Sequence, residues 1–205
     1  NTLFFLFISF IIFSFFLKYN EKFLTYASLV TYCRSIINVL ILSVILHIDQ
    51  FNIVNANNNY INILPFLFFI SLVLDGLDGY LARLLNQISE FGAKFDLETD
   101  TFLLLLLSFS LYKDLNANVT VFLIPFYRYV FFILQFKFKW LKASLPESMR
   151  RRFICFFVTF LLIISHFSSF PTHLVDGFIN LSILLITFSF LEDIIWLYRK
   201  EYSQI

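Results

Sequence analysis

Apolar runs long enough to approach the thickness of a lipid bilayer occupy most of this 205-residue chain. They occur at about 2–17, 35–48, 61–74, 101–112, 119–136, 153–170 and 177–198. A helix needs about 20 mostly apolar residues to cross a bilayer, and the shorter runs can borrow residues from their flanks. Hydrophobic residues make up 60% of the chain and charged residues 14%, whereas an average soluble domain carries about 25% charged residues. The sequence therefore predicts an all-α integral membrane protein and excludes a soluble enzyme or a nucleic-acid-binding module.

The polar breaks between the runs predict two parts of unequal size. Residues 18–205 are expected to form one bundle of six transmembrane helices, with the second apolar run starting near Thr31 and the third continuing to about Leu85. Residues 1–17 are expected to form an extra N-terminal span. Because the chain begins at Asn1 inside an apolar run and without Met, we expect this span to be incomplete.

The basic residues predict the orientation of the bundle, because Lys and Arg prefer cytoplasmic loops near helix ends. If the connection at 86–94 is cytoplasmic, thirteen basic residues fall on that side: Lys18, Lys22, Arg34, Arg83, Lys94, Lys137, Lys139, Lys142, Arg150, Arg151, Arg152, Arg199 and Lys200. Only Lys113 falls outside, and Arg128 lies within a predicted span. The C-terminus is then cytoplasmic as well.

Four aspartates lie close together between the third and fourth apolar runs: Asp75, Asp78, Asp96 and Asp100. A charged residue at the centre of a membrane helix costs about 2.5–3.5 kcal/mol on insertion scales, and such residues usually face a cavity or a partner. Helical geometry puts the first two acids on one face and the last two on one face of the next helix. A short connection makes the two helices antiparallel neighbours, so both acidic faces can point into one cleft near the cytoplasmic surface.

Small residues accompany the acids at helical spacing. Gly79 and Ala82 share the face of the first acidic pair, and Gly92 lies one turn before the second. Converging carboxylates need a cation among them, and oxygen-only ligands suit Mg²⁺, Mn²⁺ or Ca²⁺. The missing side chains leave room for a bulky, planar ligand beside that cation.

The pattern D-x2-D-G-x2-A-R-x8-G-x3-D-x3-D, which runs from Asp75 to Asp100, resembles the complete signature of the CDP-alcohol phosphatidyltransferase family. The resemblance implies a membrane enzyme of phospholipid biosynthesis, in which an alcohol attacks the pyrophosphate of a CDP-linked substrate and CMP leaves. It also implies two divalent cations, Mg²⁺ or Mn²⁺, a six-helix fold and a homodimer.

The resemblance assigns roles to the motif residues. Asp75, Asp78, Asp96 and Asp100 are implied metal ligands, and Asp100 is also the implied general base on the acceptor hydroxyl. Gly79, Ala82, Arg83 and Gly92 are expected to bind the CDP-linked substrate, the small residues by lining the cytidine site.

Three residues outside the signature are further candidates for substrate binding. Thr31 and Arg34 belong to S-x2-T-x2-R from Ser28, which resembles the family's N-x2-T-x2-R at the entry to its first core helix. Arg34 could contact the pyrophosphate or simply anchor its helix at the cytoplasmic surface. Arg128, inside a predicted span, could bind an anion or extend its side chain to the surface.

The acceptor alcohol stays open at this level. The leading hypothesis is transfer of a phosphatidyl group from CDP-diacylglycerol to a small polar alcohol. The alternatives are transfer from CDP-choline or CDP-ethanolamine to a lipid alcohol and, in another class, a cation channel or transporter lined by the aspartates. A multi-pass protein of a bacterial inner membrane, with its active site facing the cytoplasm, fits the leading hypothesis.

Overall fold

The computed structural model describes residues 26–54, 63–85, 90–115, 117–143, 148–167 and 170–202. Every regular element in these ranges is helical, which confirms the all-α prediction. The six α-helices are α1 (Tyr26–Val54), α2 (Ile63–Leu84), α3 (Glu90–Asp114), α4 (Leu123–Lys137), α5 (Met149–Ile164) and α6 (Thr172–Tyr202). The extra span expected at 1–17 lies outside the described residues.

Four segments of the described helices are long and apolar enough to cross a membrane: Ser28–His47, Ile63–Leu81, Val119–Lys137 and Thr172–Glu201. They fit a multi-pass membrane protein. The other two helices, α3 and α5, do not meet these requirements of length and composition. The first half of α3 carries five charged residues between Glu90 and Asp100, and α5 has only 16 residues. Six spans therefore remain a prediction.

The predicted span at 119–136 divides into two kinds of helix. A 3₁₀ turn, Val119–Phe122, precedes α4, and the Asn118 side chain caps it by accepting a hydrogen bond from the Thr120 N–H at 3.2 Å. Pro125 is the third residue of α4. Proline is tolerated in the first turn because the N–H groups there have no partner within the helix.

The described chain forms two compact units, and the first extends to Leu106. In it α1 packs along α2, and three polar pairs set their antiparallel register: Thr31 with Asp78, Arg34 with Asp75, and Asn38 with Ser71. On α1 the paired residues follow one another at steps of three and four, which is the spacing of a single helix face.

Apolar residues continue the same two faces beyond the polar pairs. Ile41 and Ile45 of α1 are fully buried, as are Phe68 and Leu64 of α2. Phe66, Phe69, Ile70 and Val73 lie elsewhere around α2 and are exposed. Large apolar side chains on the outside fit a helix that faces lipid hydrocarbon.

The second unit runs from Leu107 to the C-terminus and contains α4, α5 and α6. The Tyr127 hydroxyl on α4 lies 2.6 Å from the Thr187 hydroxyl on α6, and the Tyr127 ring stacks on Phe190. At the start of α5, Arg150 and Arg151 pair with Asp193 on α6 at 3.2 and 3.4 Å. These contacts hold α6 between its neighbours within this unit.

Candidate metal and substrate site

The four predicted metal ligands come from two helices of the first unit. Asp75 and Asp78 lie one turn apart on α2, and Asp96 and Asp100 lie one turn apart on α3. Asp78 is the deepest, with a side chain only 4% exposed, whereas the other three are 31–38% exposed. One carboxylate is therefore enclosed by protein, and three are partly exposed.

Arg34 brings the four carboxylates together. Its Nη1 atom contacts Asp75 Oδ1 and lies 3.8 Å from Asp78 Oδ2. Its Nη2 atom lies 2.6 Å from Asp96 Oδ1 and 3.1 Å from Asp100 Oδ1, and it also donates to the Asp96 backbone carbonyl at 3.3 Å. The structure thus confirms that the two acidic faces converge, and it identifies a central cation from α1.

This position corrects one of the two interpretations of Arg34. An interfacial anchor would extend into water, but the Arg34 side chain is completely buried. Arg34 is also removed from the basic residues used to predict the membrane orientation. That prediction relies on charges in the loops at helix ends, and the Arg34 charge is neutralised inside the protein. Its contact with the pyrophosphate of a substrate stays a prediction.

Thr31 fixes the deepest carboxylate. Its hydroxyl donates to Asp78 Oδ2 at 2.9 Å, and Thr31 is itself 3% exposed. The other oxygen, Asp78 Oδ1, is buried without a hydrogen-bond partner. A buried carboxylate oxygen that lacks a partner costs free energy, so this atom is suited to ligate a cation.

The acids satisfy the basic requirements of a hard-metal site. Asp75, Asp78 and Asp96 each offer one carboxylate oxygen, and these oxygens lie within 4.8 Å of one another. Oxygen ligands of this kind suit Mg²⁺ and Mn²⁺. Together with the unpartnered Asp78 Oδ1, this arrangement fits the divalent cations implied by the signature.

A second polar pair lies one helical turn from the cluster. Asn38 follows Arg34 by four residues and accepts a hydrogen bond from Ser71, at 2.7 Å, and both residues are completely buried. Sequence analysis missed this pair. The signal was nonetheless available, because Thr31, Arg34 and Asn38 are polar residues at helical spacing within an apolar run.

For each of the remaining predicted residues, the structure shows the helix or the unit in which it lies. Gly79 and Gly92 lie on α2 and α3 and are half-buried. Ala82 and Arg83 belong to α2, but their side chains are outside the described part of the chain. Arg128 is in the second unit, where its guanidinium lies 5.9 Å from the centre of the Tyr129 ring. The substrate-binding roles of all five stay predictions.

Comparison with known proteins identifies the family. Neither the curated proteins nor the solved structures provide a significant match to the chain. A family model for CDP-alcohol phosphatidyltransferase matches residues 24–195, a range that contains both acidic helices and Arg34. The chain therefore belongs to the CDP-alcohol phosphatidyltransferase family, whose members make phospholipids by phosphotransfer from a CDP-alcohol and depend on divalent cations.

Proposed function

We propose that this protein transfers a phosphatidyl group from CDP-diacylglycerol to a small polar alcohol and releases CMP. The observation that carries the proposal is the convergence of four carboxylates from two helices around the buried Arg34. A lipid-linked donor can remain in the bilayer beside these helices, and a polar acceptor can enter from water. Such an arrangement would let the two substrates meet at the cluster.

Asp75, Asp78, Asp96 and Asp100 would hold two divalent cations, Mg²⁺ or Mn²⁺. When bound, such cations neutralise the pyrophosphate and stabilise the departing CMP. The unpartnered Asp78 Oδ1 supports a metal-ligand role for that residue. Asp78 cannot readily act as a base on an incoming alcohol, because its side chain is almost completely enclosed.

Asp100 is the residue we assign as general base. Its side chain is 35% exposed, so an acceptor hydroxyl can approach it. In the reaction the alcohol oxygen forms a bond to the phosphorus that bears diacylglycerol, the bond from that phosphorus to the CMP oxygen breaks, and the hydroxyl proton passes to Asp100. General-base assistance of this kind contributes about 10²–10⁴-fold to the rate.

Four of the residues assigned to substrate binding lie on the helices that carry the acids: Gly79, Ala82 and Arg83 on α2, and Gly92 on α3. Gly79, Ala82 and Gly92 lack bulk and would leave room for the cytidine ring. Arg83 would contact the phosphates of the donor. Thr31 acts through Asp78, which it orients at 2.9 Å, so we place it as a positioning residue.

We further propose that the cleft faces the cytoplasm of a bacterial inner membrane, where CDP-linked lipids and polar acceptors are both available. The proposal rests on the basic residues of the predicted cytoplasmic loops, without Arg34.

The orientation can be tested by cysteine labelling. A cysteine introduced at Gln87 should resist a membrane-impermeant thiol reagent in intact cells, whereas one in the 55–59 segment should react. The background must lack Cys33 and Cys155, since both are exposed. Reversed labelling would contradict this orientation.

The reaction can be tested directly with purified protein. The protein is incubated with Mg²⁺ or Mn²⁺ and one labelled donor, either CDP-diacylglycerol or CDP-choline. Each donor is combined with a panel of small polar alcohols and, separately, with diacylglycerol, and the lipid products are separated. We expect a new phospholipid and CMP only from CDP-diacylglycerol with a polar alcohol, and no product from the Asp78→Asn variant. Product from CDP-choline and diacylglycerol would instead support the alternative substrate pair, and failure of every combination would refute the proposal.

A further inference from the structure

We propose that the Arg34 guanidinium is the resident counter-ion of the four-carboxylate cluster and that a divalent cation displaces it. The inference concerns how the site exchanges cations, and it rests on the metal site of the proposed function. In the metal-free protein, Arg34 keeps the acids together. When metal enters, the side chain leaves the centre and becomes available to an anionic ligand.

The contacts of Arg34 support the counter-ion role. The side chain has no exposed surface and forms ion pairs with all four aspartates, each from a guanidinium nitrogen. Without it, four carboxylates would lie close together with no cation from the described part of the first unit among them. Burying like charges together is costly unless each is paired. Arg34 therefore stabilises the assembled cleft before any metal binds.

The same contacts make Arg34 a competitor of metal. Asp75 and Asp96 offer oxygens to the candidate metal site, and these two residues also make the closest contacts of Arg34. A divalent ion shared by these carboxylates would bring two positive charges next to the one already present. Because the guanidinium and a metal ion would share the same carboxylate oxygens and repel each other at short range in a partly buried site, metal binding is favoured when the guanidinium moves away from those oxygens.

Arg34 is also incompletely bound in its present position. Its Nε atom is buried and has no hydrogen-bond partner, in contrast to the two terminal nitrogens. A donor left without a partner in a buried site costs free energy, which lowers the cost of moving the side chain. Arginine prefers bidentate contacts with carboxylates and phosphates, so an anionic group that accompanies the metal would give the displaced guanidinium a new partner.

The test measures thermal stability and metal affinity without reference to activity. Wild type, Arg34→Gln and Arg34→Lys are purified with Mg²⁺, freed of metal with EDTA, and melted while circular dichroism is recorded during Mg²⁺ and Mn²⁺ titrations. Arg152→Gln is the matched control, because it removes an exposed arginine from α5. The increase in Tm with metal concentration gives an apparent Kd for each protein.

We expect Arg34→Gln to lower the Tm in EDTA more than Arg152→Gln does, and metal to restore most of the loss. We also expect its apparent Kd for Mg²⁺ to fall at least about fivefold, since this is the effect of one unit charge at 4 Å even in bulk water. Arg34→Lys keeps a charge but not the planar group. Its Tm in EDTA and its apparent Kd for Mg²⁺ should therefore lie between those of wild type and Arg34→Gln. If Arg34→Gln is too unstable in EDTA, the wild-type and Arg34→Lys pair still provides the comparison.

Two results would overturn the inference, and they are distinguishable. In the first, wild type gains stability with metal, but Arg34→Gln binds metal with equal or weaker affinity. Arg34 then supports metal binding and does not compete with it. Where only wild type and Arg34→Lys can be compared, the same result for Arg34→Lys leads to the same conclusion. If wild type gains no stability with either metal, the metal site of the proposed function fails, and the exchange fails with it. The Asp78→Asn variant checks the second case, because it should lose the response to metal in any background.

Discussion

The hydrogen bond from Thr31 to Asp78 can be removed with little change of shape. Thr31→Val replaces the hydroxyl with a methyl group and keeps the branched side chain on α1. Asp78 Oδ2 would then lose its 2.9 Å donor, and Asp78 Oδ1 already lacks one. Both oxygens of a carboxylate that is only 4% exposed would depend on Arg34, whose nearest nitrogen is 3.8 Å away.

The expected loss of stability follows from this geometry. Hydrogen bonds to charged groups contribute about 1.5–3 kcal/mol in proteins generally. Bonds between transmembrane helices contribute less, about 0.6 kcal/mol on average and about 1.7 kcal/mol at most. Because the Thr31 bond joins two helices and has a charged acceptor, we expect Thr31→Val to lower the free energy of unfolding by about 1.7 kcal/mol.

The metal affinity should change as well. Residues that orient a metal ligand typically account for 10–100-fold in metal affinity or activity, so Thr31→Val should raise the apparent Kd for Mg²⁺ by that factor. Unfolding by a denaturing detergent gives the stability, and the Tm titration gives the Kd. Thr31→Ser is the control, because it keeps the hydroxyl and should stay close to wild type in both measurements. Equal values for Thr31→Val and wild type would show that Thr31 does not orient Asp78.

Three further results are expected. Asp100→Asn should lose about 10²–10⁴-fold in turnover and still bind CDP-diacylglycerol in the presence of metal, whereas Asp78→Asn should lose donor binding too. Equal loss of binding in both variants would show that Asp100 is a metal ligand and not the general base. Gly79→Ala should weaken donor binding in an equilibrium assay, whereas Gly76→Ala should not, because a Cβ at Gly76 meets nothing within 4 Å; equal behaviour would argue against a cytidine site at Gly79. EDTA should abolish product formation, and Mg²⁺ or Mn²⁺ should restore it; full activity without metal would refute the two-cation site.

The sequence predicted the acidic cleft because the acids repeat at helical spacing on two adjacent helices. That periodicity determines the face on which Asp75 and Asp78 lie, whatever the neighbouring helices do. The central role of Arg34 could not be predicted in the same way. It depends on how α1 packs against α2, and the spacing of residues within α1 does not specify a partner on another helix.

Helix boundaries were predicted less well than helix faces. The apolar run at 119–136 contains no break in composition, yet the chain changes from 3₁₀ to α helix at Leu123. The change reflects the cap at Asn118 and the missing N–H of Pro125, which hydropathy does not record. By contrast, α3 begins at Glu90, well before its apolar half, as the helical spacing of Gly92, Asp96 and Asp100 had predicted.

The buried ion pairs of Arg34 also bear on how the protein enters the membrane during synthesis. A charged residue in a membrane helix costs free energy during insertion, about 2.5–3.5 kcal/mol at the helix centre, and α1, whose Arg34 lies in the first half of the Ser28–His47 segment, is made before the helices that neutralise it. The third helix, α3, is not apolar enough to qualify as a span by itself. We therefore expect α1, α2 and α3 to leave the translocation machinery for the lipid as a group, with the arginine of the first helix assisting the acids of the third.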